Sequence, residues 1–261
     1  MMERFEKALT LAKTLPGSVG IYLKDTVTGE EGGWQEHLPV VAASVIKIPI
    51  MMEAFRQREA GLLDFTQEIV IRAEDHLPSC GALTYMHDGL SVQVRDLVTL
   101  MIILSDNTAT NKLIDILGLA NIQKTIEREG LGDTVIRRKL FMAEMSRLGI
   151  QNQITAYDMG LLLERIHKGT LISEAASGEM RNILLNQRLN GKMPFFLHSQ
   201  DIACAHKTGE DDGITHDVGL IYAEHPLIFC FVSEHTDVPI AERAIQDIAR
   251  LITFGDSEHL A

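Results

Sequence analysis

Apolar positions at the start of the chain follow first a helical and then a strand-like pattern. An amphipathic first helix is predicted by apolar residues at helical spacing: Phe5, Ala8, Leu9 and Ala12. Pro16 and Gly17 end this helix. Residues 18–24 then predict a strand, residues 25–33 a turn region, and residues 34–41 the strand that completes a hairpin.

The middle of the chain predicts mainly helices. A second helix begins near Ser44 and runs toward Glu59, with Gly61 just beyond its end as a C-cap. Between Arg137 and Ile154 there is no clean period, which predicts a long loop with at most short helical turns. Helical spacing recurs in four other segments, on these apolar residues: Leu97, Leu100, Met101 and Leu104; Leu113, Ile114 and Leu117; Met159, Leu162, Leu163 and Ile166; Met180, Ile183 and Leu184.

The last quarter of the chain returns to strand patterns. Residues 202–208, 214–222 and 227–233 predict three strands separated by turn residues. A final helix is predicted by apolar residues at helical spacing: Ala244, Ile245, Ile248, Leu251 and Ile252. The predicted order is therefore one helix, two strands, a block of helices, three strands and a last helix.

This order of elements predicts the fold class. Two early strands and three late ones are able to form one sheet, so we expect an α/β fold of the α+β kind. It has an antiparallel five-stranded sheet flanked by the N- and C-terminal helices, with an inserted all-helical lobe. Residues 1–44 and 196–261 would form the sheet-containing lobe and residues 45–195 the mainly helical one. A crevice between lobes is a favoured ligand site, so we expect the active site there.

Composition and charge narrow the classes of function. The chain has 261 residues, of which 46% are hydrophobic, enough for a substantial core and one or two domains. Its formal net charge of −12 argues against nucleic acid as a partner. No apolar run is long enough to span a bilayer, and residues 1–7 are charged rather than signal-like. The compartment stays open between the cytoplasm and export with the signal removed, and a monomer is the default expectation.

Neither the cysteines nor the histidines form a metal or redox motif. The three cysteines, Cys80, Cys204 and Cys230, lack Cys-x-x-Cys spacing, so we expect reduced thiols. The ten histidines form no His-Glu-x-x-His motif and no tight cluster. We therefore expect no metal site and no cofactor.

A serine and a lysine at the predicted start of the second helix carry the first candidate chemistry. Ser44 precedes Lys47 by three residues, which on a helix places the two side chains one turn apart on the same face. A serine hydroxyl is a weak nucleophile until a base accepts its proton. The spacing therefore indicates an activated serine.

Two more motifs follow in chain order, Ser-Asp-Asn at residues 105–107 and Lys-Thr-Gly at residues 207–209. Each alone also fits a plain structural role, the first as a helix junction and the second as a strand end before a turn. Together they supply a second serine that relays a proton and a second lysine that holds an anionic substrate. The three motifs predict an acyl-transfer site.

This set of motifs resembles that of the class A serine β-lactamases and the related penicillin-binding proteins. The resemblance runs over nearly the whole chain, and the residues around the motifs, 104–111 and 216–220, agree with it. It implies the fold described above and a serine hydrolase that forms an acyl-enzyme. Hydrolysis of a β-lactam amide is the first expectation, with a small-molecule β-lactam or acyl-peptide as the substrate.

The resemblance also implies a role for each residue of the first two motifs. Ser44 would be the acylated nucleophile, and Lys47 its proton acceptor or part of the proton relay. Ser105 would pass the proton to the departing ring nitrogen. Asn107 would bridge the site to Lys47 and to the side chain of the substrate.

The remaining candidate residues would bind the substrate. Lys207 and Thr208, followed by Gly209, would hold its carboxylate. The backbone N–H groups of Ser44 and Glu210 would form an oxyanion hole, whose donors act on the charge of the tetrahedral intermediate. Tyr85 resembles the aromatic residue that edges the cleft in this family, and its alternative is a tyrosine in the core.

The long loop departs from the class A pattern. That family carries Glu-x-x-Leu-Asn there, and its glutamate activates the deacylating water. Alignment of the preceding residues puts Met142 at the position of the glutamate, with Glu144 two residues further on. Glu144 is a catalytic candidate if the loop shifts its register, and otherwise an exposed carboxylate. The sequence therefore supports acylation and predicts slow deacylation.

Three functions stay open from the sequence. The first is hydrolysis of the β-lactam amide. The second is a D-alanyl peptidase or esterase of the penicillin-binding family, for which β-lactams are inhibitors. The third is a sensor or binding module in which Ser44 is acylated and stays so.

Overall fold

A central antiparallel sheet joins strands from the two ends of the chain in a computed structural model that describes residues 1–255. The strand order is β2-β1-β9-β8-β7, and every neighbouring pair is antiparallel. Its strands are β1 Ser18–Asp25, β2 Glu31–Trp34, β7 Cys204–Asp211, β8 Ile214–Tyr222 and β9 Pro226–Glu234. The expected five-stranded antiparallel sheet is confirmed, and β7 is one of its edges.

Two short strand pairs lie outside this sheet. One joins β3 to β6 and the other joins β4 to β5. Their strands are β3 Val40–Val41, β4 Glu68–Ile71, β5 Leu90–Gln93 and β6 Gln153–Ile154. The first pair is important for the site, because β3 leads directly into the candidate nucleophile and β6 ends the long loop.

Nine α-helices lie within residues 1–255, most of them between β3 and β7. They are α1 Met2–Lys13, α2 Lys47–Glu59, α3 Val94–Ile103, α4 Asn107–Leu117, α5 Leu119–Arg128, α6 Ala143–Arg147, α7 Ala156–Lys168, α8 Glu174–Leu185 and α9 Val238–Phe254. None of these helices combines the length and the apolar character that crossing a membrane requires. The last six residues of the predicted sheet lobe, 256–261, lie outside the described range.

The sheet is buried on both faces because its central strands carry apolar side chains on both of them. Along β9, Phe229 and Phe231 face the terminal helices α1 and α9, whereas Cys230 and Val232 face the core shared with α2 and α7. Successive side chains of a strand point to opposite faces, so a run of apolar residues fills two cores at once.

The predicted hairpin partner of β1 was misplaced. Residues 34–41 were expected to form it, but the partner is β2, and Trp34 pairs with Ile21. The turn after β1 is shorter than the predicted one, because the side chain of Asp25 accepts hydrogen bonds from the N–H groups of Val27 and Thr28. Residues 40–41 instead form β3 and pair with β6.

Candidate active site

Ser44 lies on a tight turn that connects the short strand β3 to the central helix α2. Residues Ala43–Ile46 form a 3₁₀ turn, and α2 begins at Lys47. In a 3₁₀ helix the side chains of residues i and i+3 eclipse each other. The turn therefore aligns Lys47 with Ser44 more closely than the α-helix predicted from the sequence.

The backbone around this turn is strained and closely packed. Ala43, directly before Ser44, has a φ of 41°, a conformation that costs a non-glycine residue about 1 kcal/mol or more. The turn packs on β7 at Gly209, where an added Cβ would lie 3.3 Å from the Cβ of Ala43 and 3.1 Å from a methyl of Val45. A side chain at residue 209 would push the turn away from the strand.

A buried histidine ties the segment before Ser44 to the sheet. His216 Nε2 lies 2.8 Å from the carbonyl oxygen of Val41, and the N–H of Ser233 donates to His216 Nδ1 at 3.0 Å. These partners require a neutral ring with its proton on Nε2. Burial lowers the pKa of His216 to about 4, which agrees with the neutral form.

Lys47 is the hub of the polar contacts in the site. Its Nζ lies 2.9 Å from Ser44 Oγ, 3.0 Å from Ser105 Oγ, 2.8 Å from the carbonyl oxygen of Ser105 and 2.9 Å from Asn107 Oδ1. The side chain is fully buried. The expected convergence of Ser44, Lys47, Ser105 and Asn107 is therefore present in the structure.

The surroundings of Lys47 favour its neutral amine. Burial lowers its pKa well below the usual value, and the positive charge of Lys207 lowers it further. The four oxygen atoms within hydrogen-bond distance of Nζ belong to hydroxyl, carbonyl and amide groups, and none of them is a carboxylate oxygen that would stabilise an ammonium group. A neutral amine has two N–H groups and one lone pair, so it is able to donate to the Ser105 carbonyl and to Asn107 Oδ1 and to accept the O–H of one serine.

Ser105 is held in an unusual backbone conformation between α3 and α4. Its φ is 54°, and its side chain is buried. The next residue, Asp106, caps α4 by accepting from the N–H of Ala109, and it also accepts from the N–H groups of Ala82 and Leu83. Gly81 lies so close to Asp106 that an added Cβ would be 2.4 Å from its carboxyl carbon. Asp106 thus holds its two neighbours in the chain, Ser105 and Asn107, in place.

Lys207 lies on β7 and approaches the site from the sheet. Its Nζ donates to Ser105 Oγ at 3.1 Å and to the Thr208 carbonyl oxygen at 2.8 Å, both of them neutral oxygen atoms. Burial lowers the pKa of Lys207 to about 7. The group therefore carries a large share of its positive charge near neutral pH, without a carboxylate among its hydrogen-bond partners.

These groups open into a cleft of about 700 Å³. The candidate residues that line it are Ser44, Ser105, Asn107, Thr208 and Glu210. Lys47 and Lys207 lie beneath its floor, since both are fully buried. Among the described residues, no group of three or more His, Cys, Asp or Glu side chains is placed to hold a metal ion.

The long loop forms a second wall of the cleft, and sequence reasoning missed the residues that shape it. Asn152 lines the cleft and accepts from the N–H groups of Arg137 and Arg138, and its carbonyl accepts from the N–H of Ala42. Arg138 holds the loop from within by donating to the Ile150 carbonyl. An asparagine and an arginine in an aperiodic loop carry no sequence signal for this role.

Two of the sequence candidates are exposed side chains that do not line the cleft. Glu144 is exposed in the first turn of α6, although its neighbours Ala143 and Ser146 do line it. Tyr85 is 79% exposed, which excludes the alternative of a core tyrosine, and it too is absent from the lining. Met142 is partly exposed at the same loop.

Comparison with known proteins identifies the family. The model of the β-lactamase enzyme family (Beta-lactamase2) matches residues 3–254, so the chain belongs to that family. A β-lactamase from Sphaerobacter thermophilus has a solved structure that is 31% identical, with a TM-score of 0.88 over 97% of this chain and 96% of that one. Family and fold together support a serine β-lactamase-like hydrolase.

Two further similarities are more limited. The β-lactamase L2 of Stenotrophomonas maltophilia is 28% identical over 183 residues, a match that spans 67% of this chain and 58% of that protein. The structure of PBP-A is 24% identical, with a TM-score of 0.86 over 97% of this chain and 95% of that one. The second similarity shows the fold alone.

Proposed function

We propose that this protein hydrolyses a β-lactam amide through an acyl-enzyme on Ser44 and that it deacylates slowly. The observation that carries the proposal is the 2.9 Å contact between Ser44 Oγ and the buried nitrogen of Lys47. A nucleophile next to a base whose pKa is lowered is the arrangement that activates a serine. The site lies in the crevice between the sheet lobe and the helical lobe.

Acylation forms one bond and breaks another. Ser44 Oγ attacks the lactam carbonyl carbon, and its proton moves to the neutral amine of Lys47. The C–N bond of the ring then breaks, and the proton reaches the departing nitrogen through Ser105 Oγ, which is 3.0 Å from Lys47 Nζ. The product is an ester on Ser44 with a free amine in the opened ring.

Two further elements stabilise this reaction. The N–H groups of Ser44 and Glu210 bind the carbonyl oxygen as it becomes negative. Lys207 and Thr208, next to Gly209, bind the carboxylate of the substrate, and the buried charge of Lys207 supports this role. Asn107 orients Lys47 through the 2.9 Å contact to its side-chain oxygen.

Deacylation is the slow step because neither loop residue near the position of the class A water-activating glutamate supplies a base to the cleft. Met142 has no titratable group, and the exposed Glu144 is not part of the lining. Water requires a base within hydrogen-bond reach to attack the ester. A mutant of PBP-A, a protein of the same fold, has been solved as an acyl-enzyme complex with penicillin G.

Stopped-flow hydrolysis of a chromogenic cephalosporin tests the proposal. We expect a burst of product equal to the enzyme concentration, followed by a slow steady rate. A linear progress curve without a burst, from folded protein, would contradict slow deacylation. No colour change at all would contradict the reaction itself.

A further inference from the structure

A buried lysine outside the three motifs contacts the peptide group that presents the oxyanion hole. Lys192 is only 3% exposed, and it lies on the segment between α8 and β7. Its Nζ donates to the carbonyl oxygen of Gly209 at 3.3 Å and to that of His216 at 3.4 Å. The Gly209 carbonyl and the Glu210 N–H belong to one peptide group, so Lys192 contacts one end of the unit whose other end is proposed to bind the oxyanion.

The register of the sheet fixes the direction of this peptide. Gly209 pairs with His216 across β7 and β8, and one nitrogen reaches both carbonyl oxygens, so the Gly209 carbonyl is directed toward β8. In a trans peptide the C=O and the N–H point in opposite directions. The Glu210 N–H is therefore directed to the open side of the edge strand, where Glu210 lines the cleft.

Lys192 is held in this place from several sides. The next residue, Met193, donates its N–H to Asp217 Oδ2 at 2.9 Å, and Gln246 donates to the carbonyl of Gly191 at 2.8 Å. The ammonium also lies 3.0 Å from a carboxylate oxygen of Glu210 and 3.6 Å from one of Glu242. The second carboxylate is on α9, whereas the first is on β7.

We propose that Lys192 is a positioning residue that polarises the Gly209–Glu210 peptide and strengthens its N–H as an oxyanion donor. A positive charge at an amide oxygen draws electron density from the nitrogen, so the N–H becomes a stronger hydrogen-bond donor. The bond to Lys192 also keeps the peptide from rotating away from the oxyanion. This inference rests on the acyl-enzyme proposed above.

The test is isotope-edited infrared spectroscopy of the acyl-enzyme formed with a penicillin that is ¹³C-labelled at the lactam carbonyl. Hydrogen bonds lower the stretching frequency of the ester carbonyl. We expect Lys192→Met to raise that frequency, to slow acylation by about tenfold and to leave the affinity of the non-covalent complex unchanged, because the donor acts mainly on the transition state. Lys192→Arg keeps the charge, so its carbonyl frequency and its acylation rate should be close to those of the wild type.

Lys24→Met is the matched control. Lys24 is also mostly buried and also pairs with two carboxylates, Glu31 and Glu164, each at 3.2 Å, but it lies away from the cleft. It should change neither the frequency nor the acylation rate. An unchanged frequency in folded Lys192→Met, or an equal change in Lys24→Met, would overturn the inference.

A second variant covers the case in which Lys192→Met does not fold. Glu242→Gln removes one of the two carboxylates that neutralise Lys192, so it should lower the carbonyl frequency and speed acylation. An unchanged or higher frequency in that variant would overturn the inference. If wild-type protein shows no adduct in its mass spectrum, the proposed function fails first, and this inference fails with it.

Discussion

Lys47 and Lys207 both contact the same hydroxyl group, with Ser105 Oγ 3.0 Å from the first nitrogen and 3.1 Å from the second. Both lysines are fully buried. Burial lowers both pKa values, and the charge of Lys207 lowers the pKa of Lys47 further. One site thus holds a lysine poised as a neutral base beside a lysine that keeps positive charge near neutral pH.

This coupling predicts how loss of Lys207 changes the pH dependence of acylation. Acylation needs the neutral amine of Lys47, so its rate falls as the pH drops below the pKa of that amine. Lys207→Met removes the positive neighbour and raises this pKa. The acidic limb of the profile, measured with an uncharged ester substrate, should therefore move to higher pH. An acidic limb at the wild-type position would contradict the coupling.

The pKa of Lys207 predicts how carboxylate recognition varies with pH. This pKa is about 7, so the group loses its positive charge as the pH rises through that value. The ratio of acylation efficiencies for a carboxylate-bearing substrate and its methyl ester isolates Lys207, because both substrates need Lys47 equally. We expect the ratio to fall above about pH 7. A ratio that stays constant from about pH 6 to about pH 9 would argue against this role.

The loop variants separate two accounts of deacylation. Met142→Glu introduces a carboxylate at the position that the class A pattern assigns to the base, so it should speed the slow phase after the burst. Glu144→Gln should leave that phase nearly unchanged, because the exposed carboxylate does not line the cleft. A large fall in the rate of the slow phase of Glu144→Gln, with the burst intact, would show that Glu144 is the base.

Because His216 is buried as a neutral ring, the folded protein should lose stability in acid. Burial lowers its pKa from the usual 6.5 to about 4, so between these values the unfolded chain binds a proton that the folded chain does not. Stability is therefore lost as the pH falls through this window, by up to about 3 kcal/mol. His216→Asn keeps one donor and one acceptor without the titration.

Urea unfolding of wild type and His216→Asn at several pH values measures this effect. The free energy of unfolding should fall more steeply toward acid in wild type than in the variant. Parallel curves for the two proteins would show that His216 does not contribute.

The sequence predicted the main elements of the sheet and the chemistry of the site for identifiable reasons. Apolar periodicity marks strands such as β8 and β9, whose side chains are buried on both faces. The Ser44–Lys47 spacing is local, so a single turn brings the two side chains together. These features depend on neighbours in the chain, which is why a sequence pattern reveals them.

Other features depend on contacts between distant segments and left no such pattern. Residues 34–41 have the pattern of a strand, but the turn that begins at Asp25 places the partner strand of the hairpin earlier in the chain, at Glu31–Trp34. The positive φ angles of Ala43 and Ser105 are imposed by the packing around them, since neither residue type favours that conformation. The 3.3 Å contact of Lys192 with Gly209 joins segments that no motif connects.

The central claim is that a β-lactam acylates Ser44 and that the ester persists. Intact-protein mass spectrometry after addition of a penicillin, followed over time and localised by peptide mapping, measures this directly. We expect one added mass per chain on Ser44 of the wild type, lasting many minutes, and none on Ser44→Ala. An adduct on folded Ser44→Ala, or no adduct on folded wild type at any time, would contradict the account.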